Sequence, residues 1–314
     1  MSEHFLYTEK YRPQVIADCI LPTRIKKSFT EFVANGNIPT LLLSGGAGTG
    51  KTTIAKALCN EVGNDVMVIN ASKERGIDTL RTKITGFAST VSLSDNDARK
   101  IIIMDEADSM TVDLQSGMRA AIEEFSGNCG FIFTANFPSK IIEPIHSRCI
   151  SIDFKVKENE QSQMMGQFMK RVMAILDKEN VKYDNAVLAS LIKTHFPDFR
   201  RTLNELQRYA AGGEIDSGIL ANIAEVKLDN VVEFLRKKDF KSMREWVGTN
   251  SNMIDSTELF SKLYKSAEQY LQPSSVPQAI ILIGEYSYKD AVVADKEINI
   301  AACLTELMAG CEFK

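Results

Sequence analysis

The sequence predicts an α/β domain built on a parallel sheet, followed by two helical regions. Short apolar runs alternate with helical patterns up to Phe154, and beyond that residue the strand pattern stops. A glycine-rich segment at 45–50 also separates one apolar run from a helical pattern. Apolar runs without polar alternation are typical of strands that are covered on both faces. We therefore expect an α/β domain at 1–154, a small helical domain at 155–224 and an all-helical domain at 225–314.

Five apolar segments predict the strands of the sheet. Each is short, rich in Ile, Val, Leu or Phe, and bounded by polar or glycine-containing stretches. The segment that follows the glycine loop, 51–62, has the apolar spacing of a helix. The polar stretch 91–100 is predicted to be a surface connection. The predicted strands are 40–44, 66–72, 100–106, 130–136 and 149–154.

The second half of the chain shows helical periodicity throughout. Apolar residues in 158–180 recur at helical spacing, and the methionines among them indicate core packing rather than a cofactor site. Helices are also expected at 186–194 and 199–210, the latter with Asp198 as its N-cap. Further helices are predicted at 230–238, 239–247, 256–272, 275–287 and 298–310.

Composition excludes several classes of protein. Hydrophobic residues make up 44% and charged residues 25% of 314 residues, which is ordinary for a globular protein. The longest apolar runs have four or five residues, whereas a membrane helix needs roughly 20, so no membrane segment is expected. The 37 basic and 41 acidic residues give a net charge of −4, so any nucleic-acid contact must come from a local basic surface.

Cysteine and histidine spacing argues against a metal centre. The six cysteines form no CxxC pair, and the three histidines do not cluster with them. A structural zinc site needs clustered ligands, so we expect none. Scattered thiols are more simply read as reduced core or surface residues.

The segment 45–52 matches the phosphate-loop pattern G-x-x-x-x-G-K-[ST], between a predicted strand and a predicted helix. Glycines let successive backbone N–H groups face phosphates, and the helix dipole adds positive potential. Lys51 would then contact the β- and γ-phosphates of a nucleotide, and the Thr52 hydroxyl would bind Mg²⁺. The loop consists of Gly45, Gly46, Ala47, Gly48, Thr49, Gly50, Lys51 and Thr52.

Two carboxylates follow the most apolar predicted strand. Asp105 and Glu106 come directly after 101–104, at the strand edge where nucleotides bind in such sheets. Asp105 is expected to hold magnesium and Glu106 to orient or activate the attacking water. Together with the phosphate loop, they predict ATP hydrolysis rather than binding alone.

Three further polar residues are candidates for the site, and two of them leave two interpretations. Asn136, after the fourth strand, either contacts the γ-phosphate or its water, or is a turn residue at the strand end. Arg148 either forms a surface salt bridge or reaches the ATP of a neighbouring subunit, where an arginine stabilises transition-state charge. Arg200 lies with Arg201 in the first turn of a helix, where the dipole disfavours positive charge, which points to a ligand-facing role.

The order and spacing of these motifs resemble the AAA+ clamp-loader ATPases of the replication-factor-C small-subunit type. The SRC triplet and the segment 70–81 are much more specific to that family than the phosphate loop is. The short acidic chain and the strings CILP and FPDFR resemble in particular the large subunits of T4-type phage clamp loaders. The strings that carry the resemblance are EKYRP at 9–13, GGAGTGKTT at 45–53, NASKERGIDTLR at 70–81, IIIMDEAD at 101–108, TAN at 134–136, SRC at 147–149 and DFRRTLNELQ at 198–207.

The resemblance implies a role for each matching residue. It implies that Asn136 is a sensor of the γ-phosphate, that Arg148 is an arginine finger acting in trans, and that Arg200 is a second sensor. It adds to the ATP site Thr53 and the segment that lies along adenine, namely Tyr11, Arg12 and Pro13. It also implies that the helix starts of 70–81 and 108–120 face template DNA, with contacts from Arg75, Ile77 and Arg81. From the residues alone, two arginines six apart are a weak signal, and a solvated surface stays the alternative.

The resemblance also implies architecture and function. The α/β domain would be a P-loop AAA+ domain, followed by a helical lid and an all-α collar that mediates oligomerisation. ATP and Mg²⁺ would be the cofactors, and primer–template DNA, a sliding clamp and other loader subunits the partners. ATP binding would open the clamp, and DNA-stimulated hydrolysis would release it. We expect a cytoplasmic location, in the host cell if a phage encodes the chain, because the first residues lack an apolar signal core.

The sequence leaves three other functions as alternatives. The string DEAD at 105–108 suggests a helicase, but such helicases need a second α/β lobe, and 155–314 is predicted to be helical. A Holliday-junction-type AAA+ motor is the nearer alternative, which strand displacement would reveal. A non-catalytic ATP-binding scaffold is disfavoured by Glu106.

Overall fold

The computed structural model describes residues 5–73, 76–90, 99–215, 228–250 and 256–314 of the chain. The chain divides into two compact units, Met1–Asn222 and Ile223–Lys314. This grouping does not decide the three-domain division, with boundaries at 154/155 and 224/225, which stays a prediction.

The first unit contains a parallel sheet in the order β2-β3-β4-β1-β5. β4 lies between β1 and β3, with Ser44 paired to Ala135 and Met104 paired to Phe133. The carboxyl ends of β1, β3 and β4 therefore meet at one edge of the sheet. The strands are β1 Leu41–Ser44, β2 Val66–Asn70, β3 Lys100–Asp105, β4 Cys129–Ala135 and β5 Ile150–Asp153.

The expectation of a sheet covered on both faces is correct for the centre and wrong for the edges. Every residue of β1 and β4 is buried, and apolar side chains from both faces form two core clusters. In contrast, Val68 of β2 is 45% exposed and Ile150 of β5 is 50% exposed. β2 and β5 are the outer strands of the order given above, so helices cover them less completely.

Helices of the first unit flank the sheet, and their ends follow local sequence signals. Thr111 caps α5 by accepting a hydrogen bond from Leu114 N, and Gly36 ends α2 in the left-handed conformation. α2 is not among the predicted helices, although Pro22 before it and Gly36 after it mark both ends. The helices are α1 Tyr7–Lys10, α2 Thr23–Asn35, α3 Lys51–Val62, α4 Ile77–Ser89, α5 Val112–Glu124 and α6 Glu143–His146.

The predicted surface connection at 91–100 is wrong at its end. Lys100 begins β3 and is only 6% exposed, because its ammonium group turns inward to the end of α4. It donates to the carbonyl oxygens of Phe87 and Thr90 and to the Thr90 hydroxyl. The rest of the predicted connection, 91–98, lies outside the described residues.

Within the described residues, three helices follow the sheet in the first unit and pack beside its N-terminal segment. As predicted, Asp198 is an N-cap: its Oδ1 accepts from Arg201 N at 2.9 Å and so begins α9. Gln207 of α9 bonds to the backbone of Phe5 and Tyr7. A two-residue parallel pair, Lys182–Tyr183 (β6) with Glu214–Ile215 (β7), joins the ends of this group. The helices are α7 Glu158–Lys178, α8 Asn185–His195 and α9 Phe199–Ala210.

The second unit is helical where it is described, as the periodicity predicts, apart from one bridge between Leu271 and Phe313. Its helices share one apolar core, which includes Met243, Phe260 and Leu304. Within the described ranges, no helix of either unit is long and apolar enough to cross a membrane. The helices are α10 Leu228–Lys237, α11 Phe240–Asn250, α12 Ser256–Tyr270, α13 Val276–Lys289 and α14 Lys296–Gly310.

Candidate nucleotide site

The phosphate loop lies between β1 and α3, at the sheet edge where the strand ends meet. Gly48 and Gly50 have φ of 69° and 91°, a left-handed backbone that side-chain-bearing residues avoid. Thr49 Oγ1 closes the turn by donating to Gly46 O at 2.9 Å. The loop therefore has the curled backbone that the pattern predicts, ending at the N-terminus of α3.

Lys51 is buried within this loop, with 7% of its surface exposed. Its Nζ donates to Gly45 O at 2.8 Å, to Gly46 O at 2.7 Å and to Asn136 Oδ1 at 2.8 Å. The pKa of Lys51 is lowered to about 8, mainly because the side chain is buried; the positive charge of Arg200 adds to the shift, whereas nearby carboxylates oppose it. An anion bound at Lys51 would favour the protonated ammonium group.

Asp105 and Thr52 join the ends of β3 and the phosphate loop. Thr52 Oγ1 donates to Asp105 Oδ1 at 2.6 Å, and Thr134 Oγ1 donates to the same oxygen at 2.7 Å. Thr134 also accepts from Glu106 N at 3.1 Å, and Glu106 itself has a φ of 57°. One hydroxyl thus fixes both carboxylate-bearing residues, leaving the Glu106 side chain exposed at the cleft.

Asn136 follows β4 and lies beside Lys51, and Asp108 holds its backbone. Asp108 Oδ2 accepts from Asn136 N at 3.2 Å and from Phe137 N at 3.0 Å. The other oxygen, Asp108 Oδ1, is buried without a hydrogen-bond partner among the described residues. Sequence reasoning assigned no role to Asp108 or Thr134, although both stand in quoted motif strings.

Two adjoining clefts meet at the loop, one polar and one largely apolar. The polar cleft, of about 480 Å³, is lined by Lys51, Thr52, Asp105, Glu106 and Asn136 among others. The apolar cleft, of about 710 Å³, lies beside it and shares Gly48, Gly50, Thr53 and Arg200 with it. Such a pair matches a polyphosphate joined to a flat apolar base. The apolar cleft is lined by Tyr11, Pro13, Cys19, Ile20, Ile54, Phe168, Arg171, Phe199 and Leu203, together with polar neighbours.

The N-terminal segment closes the apolar cleft. Tyr11, Arg12 and Pro13 all line it, and their contact with adenine stays a prediction. Arg12 Nη1 donates to Thr53 Oγ1 at 2.9 Å, and Arg171 Nη2 donates to Tyr11 O at 2.8 Å. Arg171 belongs to α7 and was missed, since nothing in its local sequence marks it. The cleft is therefore built from the N-terminal segment, α3 and the helices that follow the sheet.

The two predicted arginines lie in different surroundings. Arg200 is exposed at the shared part of the two clefts. Arg148 does not line either cleft: its guanidinium pairs with Glu123 of α5, and its Nη1 donates to Pro144 O at 2.7 Å. Within one chain, Arg148 is therefore the salt-bridged arginine of the first interpretation, and its action on a neighbour stays a prediction.

The predicted DNA-contacting residues lie near the start of α4. Arg75 lies outside the described residues, Ile77 is the first residue of α4, and Arg81 is exposed one turn later. Their contact with DNA stays a prediction.

Residues 41–157 match the family model "ATPase family associated with various cellular activities (AAA)", and residues 160–221 match "Sliding-clamp-loader large subunit, AAA+ ATPase lid domain". The sliding-clamp-loader large subunit of Enterobacteria phage T4 is 35% identical over 319 residues, covering 100% of this chain and 98% of the relative. The chain belongs to the sliding-clamp-loader family of AAA+ ATPases. The family membership that the quoted motifs predict is therefore confirmed.

Other relatives extend this clamp-loader family. The corresponding subunit of Escherichia phage RB69 is 35% identical over 100% of this chain and 98% of the relative. The replication factor C small subunit of Thermofilum pendens is 31% identical over 98% of this chain and 97% of the relative. Membership makes this clamp-loader chain a nucleotide-binding ATPase, as the phosphate loop and the two carboxylates predict.

Solved structures agree on the fold of the clamp-loader chain. The RuvB Holliday junction branch migration motor of Thermotoga maritima superposes with a TM-score of 0.53 at 15% identity, covering 71% of this chain and 78% of that one. A mutant of that motor gives 0.54 at 16% identity, covering 71% and 79%. At this identity the likeness concerns the AAA+ fold alone, so it does not favour the alternative function of a Holliday-junction motor.

Proposed function

We propose that this chain works in a clamp loader as the subunit that binds and hydrolyses ATP, in contact with primer–template DNA, a sliding clamp and other loader subunits. The observation that carries the proposal is the junction of Lys51, Asn136, Thr52 and Asp105 at one edge of the sheet. It joins a phosphate-binding loop to the carboxylates that hydrolysis requires.

The binding step uses groups that already converge. Lys51 would leave the carbonyl oxygens of Gly45 and Gly46 for the β- and γ-phosphates, which offer its ammonium group a stronger, charged partner. Loop N–H groups and the N-terminus of α3 would hold the remaining phosphate oxygens. Tyr11 and Pro13 would contact the base in the apolar cleft, and Arg200 would reach the phosphates from α9.

The residues at the end of β3 fit a magnesium ion. The Thr52 hydroxyl and the Asp105 carboxylate place two hard oxygen atoms 2.6 Å apart beside the loop. Mg²⁺ in nucleotide sites takes one or two such protein oxygens and completes its shell with phosphates and water. Thr52 and Asp105 would hold the ion, which supplies charge neutralisation to the phosphates.

Hydrolysis depends on Glu106 and Asn136. Glu106 would orient and deprotonate the attacking water, with its position fixed by the Thr134 hydroxyl. Asn136, held by Asp108, would hold the γ-phosphate or that water. Arg148 would stabilise the transition state on the neighbouring subunit, which is consistent with its absence from the lining of its own cleft.

DNA contact is compatible with the negative net charge. A protein that encircles DNA as an oligomer needs positive charge on its inner surface only. Arg81 near the start of α4 is exposed, as this role requires, and Arg75 and Ile77 are proposed beside it.

Turnover of the complex assembled with its co-encoded partners tests the proposal. We expect primed DNA and clamp to stimulate ATP hydrolysis, and Glu106→Gln to abolish the stimulation while leaving ATP binding intact. Glu31→Gln is the matched control, because Glu31 is an exposed carboxylate on α2 outside both clefts. Turnover that ignores both DNA and the Glu106 substitution would contradict the proposal.

A further inference from the structure

Asp198 touches the phosphate loop as well as capping α9. A methyl group placed on Gly48 would lie 1.7 Å from Asp198 Oδ1, so the carboxylate rests directly on the backbone of that glycine. The same oxygen accepts from Arg201 N at 2.9 Å. A single carboxylate therefore joins the loop that holds phosphates to the helix that carries Arg200.

The charge of Asp198 reaches the centre of the site. Burial has the largest influence on the pKa of Lys51 and lowers it; the Asp198 carboxylate raises that pKa, by less than Asp108 and Asp105 do. A carboxylate that favours positive charge at the Lys51 ammonium disfavours negative charge close to it. The polyphosphate would place its negative charge at Lys51. Asp105 and Asp108 are also negative there, and both line the polar cleft, whereas Asp198 does not. Asp198 approaches instead from α9.

We propose that Asp198 lowers the affinity of the site for nucleotide, because its carboxylate repels the negative charge of a triphosphate at the loop. The same repulsion displaces Asp198, and through α9 it also moves Arg200. This rests on the proposed nucleotide site. Bound phosphates push the carboxylate away from Gly48, and because Asp198 caps α9, the first turn of the helix moves with it. The position of the helix that bears Arg200 therefore depends on whether phosphates occupy the loop. The same repulsion weakens nucleotide binding.

The substitution Asp198→Asn isolates the charge, because Asn caps helices as well as Asp does. Calorimetric titration of the full chain with ATPγS should give a Kd lower by about three- to tenfold, and the gain should shrink at high ionic strength. The gain should be smaller for ADP, which carries less charge. Asp184→Asn is the matched control: Asp184 caps α8 through Ala186 N at 2.7 Å and Val187 N at 3.1 Å and does not line either cleft, so Kd should not change.

Several outcomes would overturn the proposal. An unchanged or weaker affinity in Asp198→Asn would show that the carboxylate does not oppose binding. A gain that is independent of salt, or equal in Asp184→Asn, would show that charge at Gly48 is not its cause. Asp198→Ser, a second neutral cap, must reproduce the gain. Failure of the proposed nucleotide site is distinguishable, because then neither wild type nor Asp198→Asn would bind ATPγS in a way that Lys51→Ala abolishes.

Discussion

Thr134 shows how one side chain fixes two others at the end of β3. Its hydroxyl donates to Asp105 Oδ1 at 2.7 Å and accepts from Glu106 N at 3.1 Å, and the residue is only 2% exposed. Glu106 has a left-handed backbone, which a residue with a side chain adopts only when its surroundings hold it there. Thr134 is therefore a positioning residue for the proposed metal ligand and the proposed base.

Removing only the hydroxyl tests this role. Thr134→Val keeps the shape of the side chain but leaves Glu106 N without its acceptor, so the free energy of unfolding should fall by about 1–3 kcal/mol. We expect kcat of the assembled ATPase to fall about tenfold, equivalent to about 1.4 kcal/mol in the barrier, with little change in KM. Steady-state kinetics measures both. Thr134→Ser, which keeps the hydroxyl, should stay near wild type, and equal losses in both variants would contradict the role.

Elements that depend on local sequence were predicted well, whereas contacts between distant segments were not. The phosphate loop and α3 follow from one continuous string, and α3 begins and ends where the pattern predicts. The contacts of Asp198 with Gly48 and of Arg171 with Tyr11 O join segments far apart in the chain. Their existence depends on the packing of α7 and α9, which no local pattern encodes.

The exposure of the edge strands was not predicted, for a similar reason. Each strand was recognised from its apolar run, but the strand order was not, since the neighbours of β1 are β4 and β5. Without that order, nothing marks β2 and β5 as outer strands. The inward turn of Lys100 was not predicted, because lysine favours the surface and no local signal in β3 marks the acceptors at the end of α4 that make its burial favourable.

The end of α4 supplies a prediction at the scale of an element. Lys100→Met removes the cation that satisfies the last carbonyl oxygens of α4, and the free energy of unfolding should fall by about 1–2 kcal/mol, since relief of a buried charge offsets part of the loss. Chemical denaturation measures this. Amide exchange should accelerate in α4 but not in α5. Lys27→Met, at an exposed position of α2, should change stability by less than about 0.5 kcal/mol.

At the scale of the whole molecule, one chain does not bring every proposed catalytic group to its own cleft. Lys51, Asn136, Glu106 and Arg200 converge, but Arg148 is held by Glu123 and Pro144 O away from both clefts. Within one chain, Arg148 lies away from the phosphate loop, and the clefts at that loop are not lined by Arg148. We therefore predict that a complete site combines the cleft of one chain with Arg148 of the next.

Mixed assemblies test whether Arg148 acts on a neighbour. Arg148→Ala chains and Lys51→Ala chains, each assembled with partner subunits, should have low DNA-stimulated turnover. When the two are assembled together, some interfaces combine an intact cleft with an intact Arg148, so turnover should exceed the average of the separate samples. Mixing either variant with the double mutant controls for dilution and should restore nothing. Turnover equal to that average would place the function of Arg148 within its own chain, because no new pairing would then create an active site.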